Sequence, residues 1–202
     1  SIAQAQLMSA ADLRNGCAIA FAKADAILAG ATLDANGLNR NQIAAINFYT
    51  QENMSTTGQR ANVYYIMNLA LRSQDIERIR PFWAYIELLQ RALLQLPPAE
   101  PAVLLRGLNG PQPDIVAAEE RRKLACAQPT YWWAFTSTTT AEATARGFAH
   151  NGAGKAVLLT VGGAGCKARD VKRYSHILTE NELLMPCGSA FALQSVEEEP
   201  GS

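Results

Sequence analysis

Residues that usually mark a metal centre are scarce, with two histidines and four cysteines in 202 residues. Cys17, Cys126, Cys166 and Cys187 stand far apart, which excludes a compact Cys-x-x-Cys knuckle. They could close two disulfides or remain thiols, and spacing leaves both open. His150 and His176 are too few for a metal site without carboxylates, and surface or packing histidines account for them. No stretch reaches the roughly 20 apolar residues that span a bilayer. No basic segment followed by an apolar core opens the chain, so a soluble protein, or a processed or excerpted domain, is expected. Charge of one sign is also lacking: Lys and Arg number 18 and Asp and Glu 18, a net +0, without the basic excess of a nucleic-acid binder. Trp132-Trp133 and the tyrosines likewise lack the interleaved basic residues of a base-stacking platform. The sequon Asn53-Met54-Ser55 matters only in a secreted chain.

What is present is apolar material, 49% of the residues, enough for one substantial domain or two small lobes around one site. The first hundred residues read as helix. Ala and Leu dominate from Ala5 to about Ala29, with Ser9 as a candidate N-cap. After a turn bracketed by Gly30 and Gly37, a second helix begins at Asn39 or Asn41 and turns Ile43, Ile46, Phe48 and Tyr49 inward. Tyr64 to Leu71 fit a third, Asp75 starts a short one, and Phe82 to Leu96 recur at helical spacing until Pro97-Pro98 stops them.

Beyond Pro101 the pattern shifts to short strands. Ala102 to Leu108 is an apolar run carrying Arg106. Asn109 to Asp114 is a turn and Ile115 to Cys126 a charged helical stretch, of which Glu119 to Lys123 form a solvated face. Tyr131 to Thr140 is aromatic and β-branched and reads as one strand. Ala141 to His150 gives a helical turn, Asn151 to Gly154 a turn, and Lys155 to Val161 a buried strand. Ala168 to Tyr174 passes from strand to turn, and Ser189 to Val196 supplies the last strand. Short strands at regular spacing favour an antiparallel sandwich or split barrel.

Several motifs invite chemistry and do not carry it. Gly152-Ala153-Gly154-Lys155 lacks the first glycine of a phosphate loop, since position 149 is Ala, and Ala156 stands where Ser or Thr is needed. Gly162 to Gly165 is a loop without the dinucleotide spacing. Nothing near the cysteines marks a lowered thiol pKa. Ser175 to Pro186 is different. An apolar run follows Glu180-Asn181-Glu182 and ends in proline, so a loop leads into a short strand, where carboxylates two apart would face one site. Two like charges so placed repel, shift a pKa or hold a cation.

Three features stand in order: Arg106 ending an apolar strand, Ser137 in an aromatic strand, and Glu180 with Glu182 opening a third. Leu104-Leu105-Arg106-Gly107, Phe135-Thr136-Ser137-Thr138-Thr139 and Glu180-Asn181-Glu182-Leu183-Leu184-Met185-Pro186 resemble the arginine-specific mono-ADP-ribosyltransferases of the R-S-E class, both the vertebrate ecto-enzymes and their bacterial toxin relatives. Ala45 to Thr50, Met67 to Arg72 and Leu88 to Leu96 are similar to that family's helical lobe. Thr139 departs from its Ser-Thr-Ser motif.

The resemblance implies an α+β fold, a single catalytic domain in residues 1–202, with a helical lobe (1–100) packed on a split antiparallel β-sandwich (101–202). It implies transfer of ADP-ribose from NAD, a co-substrate, to arginine side chains of proteins, with no metal, no nucleic acid and no membrane span, by a monomer in a secreted or effector setting. In that picture Glu182 stabilises positive charge at the ribose, Arg106 holds NAD oxygens, Ser137 orients Glu182, and Glu180 receives the acceptor guanidinium. Gly107 would bring its backbone to the nicotinamide; Thr138, Phe148 and Tyr49 would line the dinucleotide. Water as acceptor, making an NAD glycohydrolase, and an inactive dinucleotide- or protein-binding domain are the competing readings.

Overall fold

The computed structural model describes residues 9–52, 62–99, 103–108, 121–123, 125–149, 157–162, 166–179 and 181–195. Outside them lie the sequon Asn53, the turn after Leu108, most of the charged stretch from Ile115, His150, the Gly152 to Lys155 turn, Gly163 to Gly165, Glu180 and the tail from Val196. Two compact units form: Ser1–Pro98 with Arg169–Glu180, and Ala99–Ala168 with Asn181–Ser202. The segment 169–180, read with the strand-rich half, thus belongs with the helices.

In the first unit α1 (Ala10–Leu28) starts where Ser9 Oγ accepts the Asp12 N–H, and ends at Ala29 in the left-handed region, followed by Gly30. α2 (Arg40–Tyr49) carries a full capping box, the Asn39 and Gln42 side chains each accepting the other's backbone N–H. α3 (Val63–Ser73), α4 (Ile76–Ile79) and a 3-10 turn lead into α5 (Trp83–Gln95). Leu38, Ile43, Ile46, Met67, Leu89 and Leu93 are wholly buried and form the core. α5 has no basic residue in its last turn; Arg169, itself buried, provides one from 76 residues on, its Nε donating to Leu93 O at 2.9 Å.

The returning segment is fastened further at Tyr174. Its hydroxyl donates to Asp34 and is pushed up to about 12, first by burial and then by that carboxylate. Because the folded value lies above the ordinary 10.0, the fold favours the neutral phenol. This stabilisation is complete below pH 10 and is lost as pH climbs through about 12. Tyr85, also raised by burial, adds in the same direction. Urea midpoints are therefore expected to hold from pH 8 to 10 and fall above it, less steeply in Tyr174→Phe.

The second unit is built on antiparallel strands: β1 (Val103–Leu108), β2 (Thr130–Trp132), β3 (Thr136–Thr139), β4 (Val157–Gly162), β6 (Glu182–Met185) and β7 (Ser189–Phe191), with the short β5 (Arg169–Asp170) belonging to the first unit. One sheet runs β4-β1-β3-β6, and β2 pairs with β7 in another. Leu104, Ala168 and Met185 are buried together, with Trp132, Val161, Leu183 and Phe191 packed against them, so side chains of both sheets share one core.

Three sequence expectations change here. The aromatic stretch from Tyr131 is not one strand; it breaks between Trp132 and Thr136, where the Thr136 hydroxyl donates to Ala134 O and the chain moves from one sheet to the other. β4 lies at the sheet edge and is only half covered, so its apolar run does not signal burial on both faces. The last strand stops at Phe191 rather than Val196. Tyr131 of β2 and Trp133, just past its end, are exposed and stack with ring centroids 5.3 Å apart.

Candidate active site

β3 is the central strand of the site, flanked by β1 and β6. Its residues alternate: Thr136 and Thr138 are buried, Ser137 and Thr139 half-buried. Thr139 stands directly opposite Glu182, and Ser137 opposite Leu184, so Ser137 and Glu182 are diagonal neighbours on one face. The Ser137 hydroxyl closes that diagonal, donating to Glu182 Oε1 at 2.5 Å. A charge-assisted bond of this kind fixes the carboxylate's rotamer through one of its two oxygens. On the opposite face Thr138 donates to Leu183 O at 2.6 Å, locking the two strands in this register.

Arg106 reaches the same place from β1: its Nη1 donates to Ser137 O at 2.7 Å. One guanidinium arm thus braces the residue that braces the carboxylate. The chain Arg106, Ser137, Glu182 joins three strands through two short hydrogen bonds, all within the second unit. Such a site suits charge that is absent in the ground state and appears at a reacting atom, because the carboxylate is oriented beforehand.

Helix α6 (Glu142–Ala149) borders this face. Thr139 Oγ1 accepts the Ala141 N–H at 3.1 Å and turns the chain from β3 into the helix. The helix packs on β1 at Gly107, where a Cβ would lie 2.0 Å from Ala145 O and 2.7 Å from Ala149 N. Gly107 therefore lacks a side chain because helix backbone fills the space, a reason distinct from the expected approach to a nicotinamide. A small-residue pair at i and i+4, Ala145 and Ala149, is the signal of this contact in the sequence.

The remaining candidates are dispersed. Phe148 projects from α6 and is largely exposed. Thr138 is buried, its hydroxyl committed to the ladder rather than to the accessible face. Tyr49 is buried in the first unit, where its hydroxyl accepts from Asn68 Nδ2 at 2.8 Å and its ring lies beside Tyr64. His176 is exposed, and Glu180 lies outside the described residues. All four cysteines are free thiols. Burial raises Cys17 and Cys187, the reverse of an activated nucleophile. Among the described residues no group of three His, Cys, Asp or Glu could hold a metal, and no helix is long and apolar enough to cross a membrane.

No protein-family model matches the chain, and no curated protein matches it in sequence. Solved structures match it in fold. The eucaryotic mono-ADP-ribosyltransferase ART2.2 superposes with a TM-score of 0.65 over 94% of this chain and 74% of its own, at 17% identity. The chain has the mono-ADP-ribosyltransferase fold. ADP-ribosyltransferase HopU1 of Pseudomonas syringae pv. tomato matches with a TM-score of 0.61 over 95% of this chain and 93% of its own, at 16% identity. The Vis toxin, an ADP-ribosyltransferase from Vibrio splendidus, matches at 0.58 over 98% and 84%, at 19% identity. Within the mono-ADP-ribosyltransferase fold of this chain, Arg106, Ser137 and Glu182 meet on neighbouring strands, although they are distant in sequence.

Proposed function

We propose that this protein transfers ADP-ribose from NAD to arginine side chains of proteins, releasing nicotinamide. The observation that carries the reading is the 2.5 Å bond from Ser137 Oγ to Glu182 Oε1, backed by Arg106 on Ser137 O at 2.7 Å. Breaking the bond between nicotinamide and ribose leaves positive charge at the anomeric carbon. A carboxylate held beforehand by a serine lowers the barrier by stabilising charge present only in the transition state. Arg106 positions Ser137 with one arm and supplies a cation to the oxygens of the dinucleotide. The substrate, not a resident cofactor, brings the leaving group, so these residues need only bind, orient and stabilise.

Arginine as acceptor rests on Glu180, two residues before Glu182, as in the family that the motifs resemble. A guanidinium holds its proton at any ordinary pH, so it needs a carboxylate to hold it and take the proton as it attacks. Among the structures similar in fold, Vis has been crystallised with agmatine, a guanidinium compound. The test is incubation with NAD, with and without agmatine, measuring nicotinamide and ADP-ribosylagmatine by mass spectrometry. Conjugate formation that saturates with agmatine is expected. Nicotinamide release with only free ADP-ribose would favour a glycohydrolase, and no release over hours a binding domain. Glu180→Gln is expected to cut conjugate formation by about 10²-fold or more while nicotinamide release persists, the scale for losing a positioned acid-base group. Equal loss of both products would contradict the division of roles.

A further inference from the structure

The proposed chemistry makes no use of a cavity in the first unit. A space of about 560 Å³ opens between the end of α1 and the start of α2, lined by Asp25, Leu28, Ala31, Thr32, Arg40 and Asn41 among others. Its volume lies in the range of small-molecule sites. Tyr49, the residue of this unit expected against the dinucleotide, stands at the opposite end of α2 from Arg40, about 14 Å away at the rise of an α-helix. The cavity is therefore separate from that expected contact.

At its centre the Arg40 guanidinium is held from two sides. One edge lies on the Asp25 carboxylate, with Nε donating to Oδ1 at 2.5 Å and Nη2 to Oδ2 at 2.9 Å; one face lies over the Phe21 ring, with Cζ 4.4 Å from its centroid. The hydrogen bond from Arg40 holds the Asp25 carboxyl below the usual carboxylate range, so both partners stay charged at ordinary pH. The Arg40 side chain is nonetheless 50% exposed. With one edge and one face taken, the other planar face is what it offers. A guanidinium already immobilised loses little freedom when a flat ring stacks on it. Leu28 and Ala31 add apolar wall beside it. Among the described residues, the Thr32 hydroxyl and the Asn41 carboxamide make no hydrogen bond, so both can serve a ligand. The amino terminus of α2 adds little, because Asn39 and Gln42 already cap each other's backbone.

These groups select a class of ligand. A planar cation face suits stacking against a flat, electron-rich ring. A carboxamide, with donor and acceptor side by side, matches the N6 and N7 edge of adenine. Asp25 cancels the charge of Arg40, so nothing in the pair favours a phosphate over a neutral molecule. We propose that the cavity between α1 and α2 is a purine-nucleoside site, in which the base stacks on Arg40 and Asn41 reads its edge. The site goes beyond the transferase reading and does not depend on it.

The experiment titrates the full chain with adenosine, read by calorimetry and by amide hydrogen exchange. Wild type is expected to bind saturably, with exchange slowed in peptides covering Leu28 to Gln42. Arg40→Lys keeps a cation for Asp25 and Phe21 but loses the planar face, and is expected to weaken binding about 10-fold, the scale of one lost base stack. Asn41→Ala is expected to weaken it about 5-fold or more through the lost edge contact. Arg91→Lys, at another exposed arginine of the same unit paired with Glu87 at 2.5 Å, is the control and should match wild type. Exposed ion pairs of this kind add little to stability, so all three variants are expected to unfold within a few degrees of wild type. No saturable binding, undiminished binding in both Arg40→Lys and Asn41→Ala, or slowed exchange confined to other peptides overturns the proposal. Binding and exchange need no turnover, so a failed transferase assay overturns the proposed function and leaves this site to be decided by the titration.

Discussion

Glu182→Gln is expected to lower nicotinamide release from NAD by about 10²–10³-fold, the cost of removing one preorganised electrostatic group, and to leave the unfolding midpoint within a few degrees of wild type. The substitution is nearly isosteric. The carboxamide oxygen that replaces Oε1 can still accept the Ser137 hydroxyl, and the backbone at this position still pairs with Thr139. What disappears is the negative charge, and with it the stabilisation of a cationic ribose. Transfer to agmatine and hydrolysis should fall by the same factor, because both pass through that charge. Single-turnover nicotinamide release and a thermal scan check this; a large drop in midpoint, or retained release, would remove Glu182 from the chemistry.

Gly107→Ala is expected to have the largest effect on folding. The added methyl meets Ala145 O at 2.0 Å and Ala149 N at 2.7 Å, both backbone atoms of α6, so relief requires the helix to move off the sheet rather than a side chain to rotate. Overpacking of this kind costs about 3 kcal/mol or more, which for a chain of this size lowers the midpoint by roughly 6–12 °C or prevents soluble expression. Gly147, on the same helix, gives the opposite result. A Cβ there meets nothing within 4 Å, so Gly147→Ala should stabilise by about 0.5–1 kcal/mol. Differential scanning fluorimetry of the two variants tests the contact from both sides, and similar midpoints would mean that α6 does not sit on β1 as described.

The helices were legible because their signals are local. Ser9 and Asn39 sit at helix starts and accept the N–H three residues on, and Pro97-Pro98 follow directly on the end of α5. The order of Arg106, Ser137 and Glu182 was legible through the motifs, and the antiparallel pairing of short strands through their spacing. Less was legible where one local pattern has two tertiary outcomes. The residues from Tyr131 to Thr139 have uniform β propensity, yet the chain changes sheets at Trp133 to Phe135, a choice set by what β7 and β6 offer as partners. The apolar run of β4 is the same whether the strand is central or at the edge. At Gly107 the sequence suggests a backbone approach to a ligand, and only the spatial neighbours of its missing Cβ reveal that helix packing also requires a glycine there. The Arg169 bond to Leu93 spans 76 residues and leaves no local trace.

That long return has a consequence for dissection of the molecule. The helices hold residues from both sides of the sheet in chain order, with Arg169 closing α5 and Tyr174 pinning the turn after α1. Neither half can therefore be excised as an uninterrupted fragment: a cut after Pro98 strips the amino-terminal piece of the peptide that seals it, and that peptide stays behind, orphaned, on the other.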